Sequence, residues 1–432
     1  MPNKEQDEQV SKTKNFVLTH KIVQRLIIMV TSISGRVRPG LCCKLFSSWT
    51  AERIMRDQAM PELQRVPLEE VCLSILAGGL GSNCMEFLSH APQPPSEESV
   101  SKALLLLEEV GAIESSNNTV HKGTTRIDRL TPLGHHLAKL PLHVKLGKML
   151  IFGCLFKCLD KVLTIAATLS SKSPFSNFVS DDASHASAAH RTFIHPSSDF
   201  LSLCNVWDAY RKAKAEGHSQ SRRFCSKMYL NHAALMEIND ARRQFLDLLC
   251  QIGFVKRSDN SFDRSETLHK SMFNKNGENL NLVNAVICAG FYPNIVQAVK
   301  ESSGIPTLWF KKERVHFHSS SINHNKRDLG SEWILFHEKF ATSRVFISAT
   351  SITKPFSLLL FGGKIDVKHL ERKVLVDDRI QLSAAAKTGV MFRQLRQELI
   401  SILEVRMSNA TETGGERSER IIDGIVELLT NE

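Results

Sequence analysis

The chain has 432 residues, of which 42% are hydrophobic and 23% charged, values typical of a soluble globular protein with about two to four domains. The 55 Lys and Arg residues exceed the 45 Asp and Glu residues by ten, which favours a polyanionic partner such as nucleic acid or an anionic membrane surface. The net charge alone is equally compatible with a basic protein that has no polyanionic partner. No apolar run is long enough to cross a membrane, and the ten cysteines include no CxxC pair that would suggest a zinc site.

In the N-terminal third of the chain, the sequence predicts a segment that is disordered or unrelated to the rest of the chain, and then a winged helix. Residues 1–33 carry no pattern that connects them to the rest of the chain. The cysteines are scattered along the whole chain and favour a reducing compartment. Residues 50–130 hold helical stretches followed by two short strand-like runs, Ala112–Ser115 and Arg126–Leu130. Ser96 is a candidate helix cap, followed by acids in the first turn, and Gly111 is a candidate helix end.

The middle of the chain predicts a helical bundle over residues 131–255. Thr131–Pro132 is a cap followed by proline at the first helical position, and apolar residues then recur at spacings of three and four. Within the bundle we expect a polar loop over Ser170–Ser198 and then two helices, around Phe200–Ala215 and Asn231–Gln251. Arg222, Arg223 and Lys227 lie between these two helices. Residues 256–278 form a predicted linker.

The last third predicts a small β-barrel over residues 279–365, then a C-terminal extension over 366–432. One helix broken near Phe291–Pro293 precedes strand-sized runs TLWF, RVHFH, WILFHEKFAT, RVFISATSI and SLLLFGG. Met391–Met407 has amphipathic helical spacing. The fold class is therefore a multidomain α+β protein.

A candidate nucleic-acid contact lies in the predicted barrel. His316 and His318 alternate with apolar residues, so a strand would place both on one side, and a loop rich in hydroxyls and amides follows. Lys311, Lys312 and Arg314 precede them, and such groups suit phosphate and sugar contacts. A polar strand edge with a solvated loop explains the same pattern. A metal site is disfavoured because no third and fourth ligand lies nearby in the sequence.

Several stretches resemble the C-terminal region of DEAH/DExH-box RNA helicases. TRIDRLTPLGHHLAKLPLHVKLGKML and IAATLSSKSPF are similar to the family's helicase-associated region, and SDFLSLCNVWDAY continues it. ICAGFYPNIV, VHFHSSSIN and WILFHEKFATSRVFISATSI resemble its oligonucleotide-binding (OB) barrel. VDDRIQLSAAAKTGVMFRQLRQELISIL resembles the tail of the larger members, including the group associated with translation initiation.

The resemblance also interprets GRVRPG, since Gly35 and Arg36 match the last Gly-Arg of the family's motif VI. In the family this arginine reaches the ATP γ-phosphate, so Arg36 would be an arginine-finger remnant on a piece of the second RecA-like domain, residues 34–49. No GxxxxGK[ST] phosphate loop or DEAH box occurs in the chain. We therefore expect the RecA-like motor domains to be absent or only a remnant, with no cofactor for this chain and with ATP and Mg²⁺ used by the parent family.

The resemblance implies that the chain contacts single-stranded RNA without catalysing a reaction by itself. The residues predicted to make the contact are Lys311, Lys312, Arg314, His318, Ser319, Ser320, Ser321 and Thr353. The family has His-Pro-Ser-Ser where this chain has four residues starting at His318, and the lost proline bears on the rigidity of the loop. Two alternatives stay open: a short regulatory isoform that binds the ribosome or a protein activator, and part of a complete ATP-dependent helicase. We expect no membrane partner and a cytoplasmic location, with the nucleus or an organelle also open.

Overall fold

The computed structural model describes residues 47, 49, 53, 61–120, 123–175, 182–255, 268–301, 304–368, 371–408 and 415–432. The chain divides into two compact units, residues 1–68 with 85–100 and residues 69–84 with 101–432. Arg36 and the predicted segments up to residue 46 lie outside the described residues. None of the described helices combines the length and the apolar character needed to cross a bilayer. In the first unit, the Gln64 side chain donates to the Pro94 carbonyl at 3.1 Å.

The described helices of nine residues or more, and the shorter ones used below, have the following bounds. They are α1 Glu69–Ala77, α2 Cys84–Ser89, α3 Glu97–Val110, α4 Pro132–Leu137, α5 Val144–Leu155, α6 Leu159–Ser170, α7 Asp182–Arg191, α8 Asp199–Ala215, α9 His218–Lys227, α10 His232–Gln251, α11 Leu280–Phe291, α12 Pro355–Phe361, α13 Ala386–Ser408 and α14 Gly415–Thr430. The strands are β1 Ile113–Val120, β2 Gly123–Leu130, β3 Ile295–Val299, β4 Thr307–Phe310, β5 Glu313–Phe317, β6 Trp333–Ala341, β7 Val345–Ile352, β8 Ile365–Lys368, β9 Lys373–Val376 and β10 Ile380–Ser383.

The predicted wing is an antiparallel hairpin, β1 with β2, longer than the sequence indicated. Its base is held by the Arg126 guanidinium, which donates to the Asp128 carboxylate at 2.8 Å and to the Glu108 carboxylate at 2.7 Å. Thr131 caps α4 as predicted, because its hydroxyl accepts from the Gly134 amide at 3.0 Å. The wing therefore continues directly into the helical bundle.

The bundle is centred on α5, α6, α8 and α10. Every residue of α5 is buried, so this helix is packed on all sides. Arg242 of α10 is fully buried and donates to the Asp160 carboxylate at 2.6 Å and to the Asp160 carbonyl at 2.8 Å, while its guanidinium lies 4.9 Å from the Trp207 ring centre. The bundle thus holds a charge pair at its centre, and the Asp160 carboxylate also accepts from Arg211 at 3.5 Å. This pairing offsets the cost of burying the charges.

The expectation of a polar loop over Ser170–Ser198 is wrong in part, because this stretch contains α7. Arg222, Arg223 and Lys227 lie between α8 and α10 as expected, on the helix α9. The small residues and histidines of α7 give little apolar periodicity, so the sequence did not indicate a helix there. Helix α9 is mostly polar, and Ser221 and Cys225 are its buried residues. A periodic pattern describes only neighbouring positions in the sequence, so it does not show contacts between such a helix and the rest of the bundle.

The barrel is closed by five strands in the order β3-β4-β5-β7-β6, with β6 returning to β3. All neighbours are antiparallel except β5 and β7, whose parallel pairing joins His316 to Phe346 and Phe317 to Ile347. Its core includes Val296, Leu308 and Ile347. The barrel was predicted, but its first strand was assigned to the preceding helix, whose chain turns at the Tyr292–Pro293 peptide.

The run SLLLFGG is a helix, α12, and not the strand that was predicted. Pro355 occupies its first turn, and residues 357–361 are buried without alternation, which suits a helix packed on all sides. A three-stranded antiparallel sheet, in the order β10-β9-β8, follows and was not predicted. The amphipathic helix of the C-terminal extension is present as α13.

Helix α13 of the C-terminal extension packs against the start of the bundle. The Nε2–H of buried His136 donates to the Leu403 carbonyl at 3.1 Å. Arg396 donates to the carbonyls of Leu359 at 2.7 Å and Leu358 at 3.3 Å, at the end of α12. Residues from the end of the chain therefore complete contacts in two earlier domains.

Candidate nucleic-acid interface

The two candidate histidines have different environments. His316 lies on β5, but the strand ends at Phe317, and His318 opens the following loop. The His318 amide donates to the Ile347 carbonyl at 2.9 Å, and its ring packs edge-on against Phe340 at 5.3 Å. The Nδ1 atom of His318 is 2.7 Å from the Ser320 hydroxyl. His318 therefore orients the loop. The described residues contain no group of acids, histidines and cysteines suited to a metal.

Ser321 belongs to a buried hydrogen-bond network, centred on Asp199 at the start of α8. The Asp199 carboxylate accepts from the Ser321 hydroxyl at 2.8 Å, the Ile322 amide at 2.9 Å, and the Thr350 amide at 2.7 Å. Ser321 is 5% exposed. Its side chain holds the loop through the bond to Asp199 and is not available for direct contact with RNA in this conformation.

Thr353 is also fully buried, and its amide donates to the Trp333 carbonyl at 3.0 Å. The Thr353 side chain is therefore not available to touch a ligand in this conformation. Lys311 sits at the β4–β5 turn, 3.4 Å from the Glu109 carboxylate, and neighbouring Lys312 is exposed. Ser319 and Ser320 are exposed on the loop.

A groove of about 550 Å³ separates the bundle from this loop. Its bundle wall includes Phe175, the α7 residue His190 and half-exposed Ile194. The rings of Phe175 and His190 meet edge-on at 4.7 Å. Its barrel wall includes Ser320 and Ser348, so hydroxyls face an aromatic and apolar surface across the groove.

Titratable groups on the barrel wall are His337 and Glu338. Burial, the largest cause, lowers the pKa of the His337 imidazole, so this ring is neutral at pH 7. A neutral imidazole, hydroxyls and an aromatic ring can stack on bases and exchange hydrogen bonds with them. The groove is therefore suited to an uncharged portion of a ligand such as a nucleobase.

Arg314 is not in this groove. It lines a separate pocket of about 300 Å³ on the barrel with His316 and Arg344. Apart from the two lysines, the predicted site residues of the barrel fall into three groups: His318, Ser319 and Ser320 on the exposed loop, Ser321 and Thr353 in the buried part of the barrel, and Arg314 in a second pocket. Lys311 and Lys312 occupy a turn that lines neither cavity.

Four families match successive parts of the chain. They are "Helicase associated domain (HA2), winged-helix" over residues 103–142, "Helicase associated domain (HA2), ratchet-like" over 143–228, "Oligonucleotide/oligosaccharide-binding (OB)-fold" over 283–365 and "C-terminal domain in RNA helicases" over 372–431. The chain carries the C-terminal domains of the DExH-box RNA helicases. The order of the four matches agrees with the resemblance read from the sequence.

Relatives of this helicase region align along most of the chain. ATP-dependent RNA helicase DHX29 of Homo sapiens is 33% identical over 99% of the chain and 30% of its own length. The chloroplastic DExH-box ATP-dependent RNA helicase DExH4 of Arabidopsis thaliana is 34% identical over 92% of the chain and 29% of its own length. Putative ATP-dependent RNA helicase DHX57 of Homo sapiens is 33% identical over 92% of the chain. The chain spans about 30% of the length of these relatives.

Sequence reasoning missed the groove's bundle wall and the Asp199 network of this helicase region. The SSDF segment does signal a helix start, since Ser198 accepts from the Leu201 amide at 3.3 Å. Nothing in the local pattern shows that the next residue, Asp199, would accept hydrogen bonds from a loop 122 positions away. Phe175 and His190 were hidden in the stretch interpreted as a polar loop.

Proposed function

We propose that this region binds single-stranded RNA in the groove between the helical bundle and the barrel loop, as the C-terminal part of an ATP-dependent RNA helicase. The observation that carries the proposal is the pairing of an aromatic wall, Phe175 with His190, and a hydroxyl wall, Ser320 with Ser348. Unstacked bases pack on aromatic rings, while hydroxyls and loop amides contact sugar and phosphate. The net charge of +10 supports a polyanionic ligand.

The rigid mounting of the loop strengthens the proposal. Ser320 and Ser319 project from a loop whose next residues are tied to α8 through Asp199. A loop held in place before binding loses less entropy when it orders a ligand. The hydroxyl wall would therefore keep its spacing from the aromatic wall as RNA enters.

Unwinding driven by ATP hydrolysis is a proposal for the whole protein, by analogy with relatives whose names describe ATP-dependent RNA helicases. ATP and Mg²⁺ would bind to motor domains, and Arg36 would contribute there as an arginine finger. A cytoplasmic location and contact with the ribosome or a protein activator are further proposals. Localisation of a tagged full-length protein, and its co-purification with ribosomes before and after RNase treatment, test them.

Binding of a labelled single-stranded oligouridylate, followed by fluorescence anisotropy, tests the RNA proposal. Phe175→Ala should weaken binding about tenfold, in line with the stacking energy of one base. Phe87→Ala is the matched control, because Phe87 is 40% exposed on α2 and lies outside the groove lining. Wild-type affinity should also fall between about 50 and 200 mM salt as phosphate contacts are screened. Equal affinities for the two variants, or no salt dependence, would contradict the proposal.

A further inference from the structure

A second, smaller pocket lies on the outer surface of the barrel at the seam where β5 and β7 run parallel. We propose that this pocket binds a phosphate group between the guanidiniums of Arg314 and Arg344. One source of that phosphate, an RNA strand, rests on the proposed function, and the other is a free or terminal phosphate. Nothing in the four family matches assigns a role to either arginine.

The strand register explains why the two arginines share one surface. Val315 on β5 and Ile347 on β7 point into the barrel core. Residues one position away on each strand therefore point outward, which places Arg314 and His316 on the outer face of β5. His316 pairs with Phe346, and Arg344 lies two residues before Phe346, so it shares that face of the sheet.

The charges of this pocket are not compensated as those of Lys311 and Lys339 on the barrel are. Lys311 is 3.4 Å from the Glu109 carboxylate and Lys339 is 2.8 Å from the Glu313 carboxylate. Among the described residues, Arg314 and Arg344 have no carboxylate within salt-bridge distance, and both are exposed to solvent. Glu301 is the single acid among the described lining residues, so the pocket keeps an excess of positive charge.

The two arginines also affect the pKa of His316, which lines the same pocket. Burial is the main cause that lowers the pKa of its imidazole, and the charges of Arg344 and Arg314 lower it further. Both guanidiniums thus act on the same ring from the two strands. At pH 7 His316 is neutral, and its N–H donates to an anion without adding a third charge.

The size of the pocket fits a phosphate with part of its ester group. The volume of about 300 Å³ is some ten times the share of one water molecule in the liquid, about 30 Å³. Guanidiniums bind phosphate through paired N–H donors, a geometry that lysine lacks. Two guanidiniums at one pocket favour an anion over a neutral or apolar ligand, and the volume leaves room for a phosphate with part of its ester.

Thermal unfolding in inorganic phosphate tests the pocket without RNA. Phosphate should raise the Tm of the wild-type protein above that in chloride at equal ionic strength, by about 1.5 °C at ten times its Kd for a chain of this length. Phosphate also stabilises proteins non-specifically, so the decisive quantity is the difference from R314Q/R344Q. The matched control is R417Q/R420Q, which removes two exposed arginines from α14. The same phosphate effect in wild type and both variants would overturn the proposal.

RNA binding then distinguishes the sources of the phosphate. R314Q/R344Q should weaken oligouridylate binding about fivefold and reduce the salt slope by about 0.7 per lost phosphate contact, whereas R344K should retain part of the affinity. A preference for a 5′-phosphorylated over a 5′-hydroxyl oligonucleotide that vanishes in R314Q/R344Q identifies a terminal phosphate. An equal loss for both identifies the backbone. If wild-type protein binds no RNA, the proposed function fails while the phosphate assay still decides the pocket.

Discussion

Replacement of Asp199 by asparagine should loosen the loop that carries the proposed RNA contact. The carboxylate at the start of α8 accepts from the Ser321 hydroxyl, the Ile322 amide and the Thr350 amide at 2.7 to 2.9 Å. Ile322 uses one carboxylate oxygen, and Ser321 and Thr350 use the other. An asparagine has a single acceptor oxygen, so either orientation of its amide turns an NH₂ group toward a backbone N–H.

The size of the effect follows from that geometry. An unsatisfied buried donor costs about 1–3 kcal/mol, and the remaining hydrogen bonds lose the strengthening that a charged acceptor provides. We therefore expect D199N to lower the free energy of unfolding by about 2–4 kcal/mol. The loop that holds Ser320 would lose its preorganisation, so RNA affinity should fall by about threefold.

Urea denaturation followed by circular dichroism, with anisotropy for RNA, measures both effects. D240N is the control, because Asp240 is 71% exposed on α10 and its nearest cation, Arg243, is 3.7 Å away. That substitution should cost less than about 0.5 kcal/mol. If D199N and D240N unfold at the same urea concentration, Asp199 does not secure the loop and the reasoning is refuted.

Three further predictions concern the bundle and its neighbours. R242A should lower the free energy of unfolding by about 3 kcal/mol, because it leaves the buried Asp160 carboxylate with the longer ion pair to Arg211 at 3.5 Å, and urea denaturation measures this. G134A should cost about 1–3 kcal/mol, since a Cβ would lie 1.9 Å from the Ala112 carbonyl oxygen, whereas G424A meets nothing within 4 Å and should stabilise α14 by about 0.5–1 kcal/mol, both read from the Tm. Burial lowers the pKa of Lys148 from 10.5 to about 8, so above pH 8 the unfolded chain binds more protons than the folded one. Wild-type stability relative to K148M should therefore rise between pH 8 and 10, and urea titrations of the two proteins at pH 7, 8, 9 and 10 check the sign, with parallel pH curves contradicting it.

The wing, the helical bundle and the barrel were all accessible from the sequence because their signals are local. Thr131 with Pro132 marks the start of α4, and alternation along β5 reflects its two faces. The mixed α+β class with an OB barrel is confirmed by the family matches. The predicted domain boundaries and the role of Arg36 stay predictions.

The parts that failed are those decided by contacts between distant residues. An apolar run such as SLLLFGG is equally compatible with a buried strand and a buried helix, and the packing of α12 against its surroundings selects the helix. Residue type alone also could not separate exposed Ser320 from buried Ser321, although they are adjacent in the chain. The partner of Ser321, Asp199, comes from a different domain, and only the folded topology brings the two together.

The bond between His136 and Leu403 has a consequence for the order in which the protein is made. The two residues are 267 positions apart, so the imidazole of α4 leaves the ribosome long before its carbonyl acceptor. Until α13 is synthesised, the surface of the bundle that it covers and the carbonyls at the end of α12 are open to water. At about 5–20 residues per second, that interval lasts on the order of 13 to 53 seconds. A nascent chain of this protein therefore presents a nearly complete helicase-associated region before α13 is available to cover it.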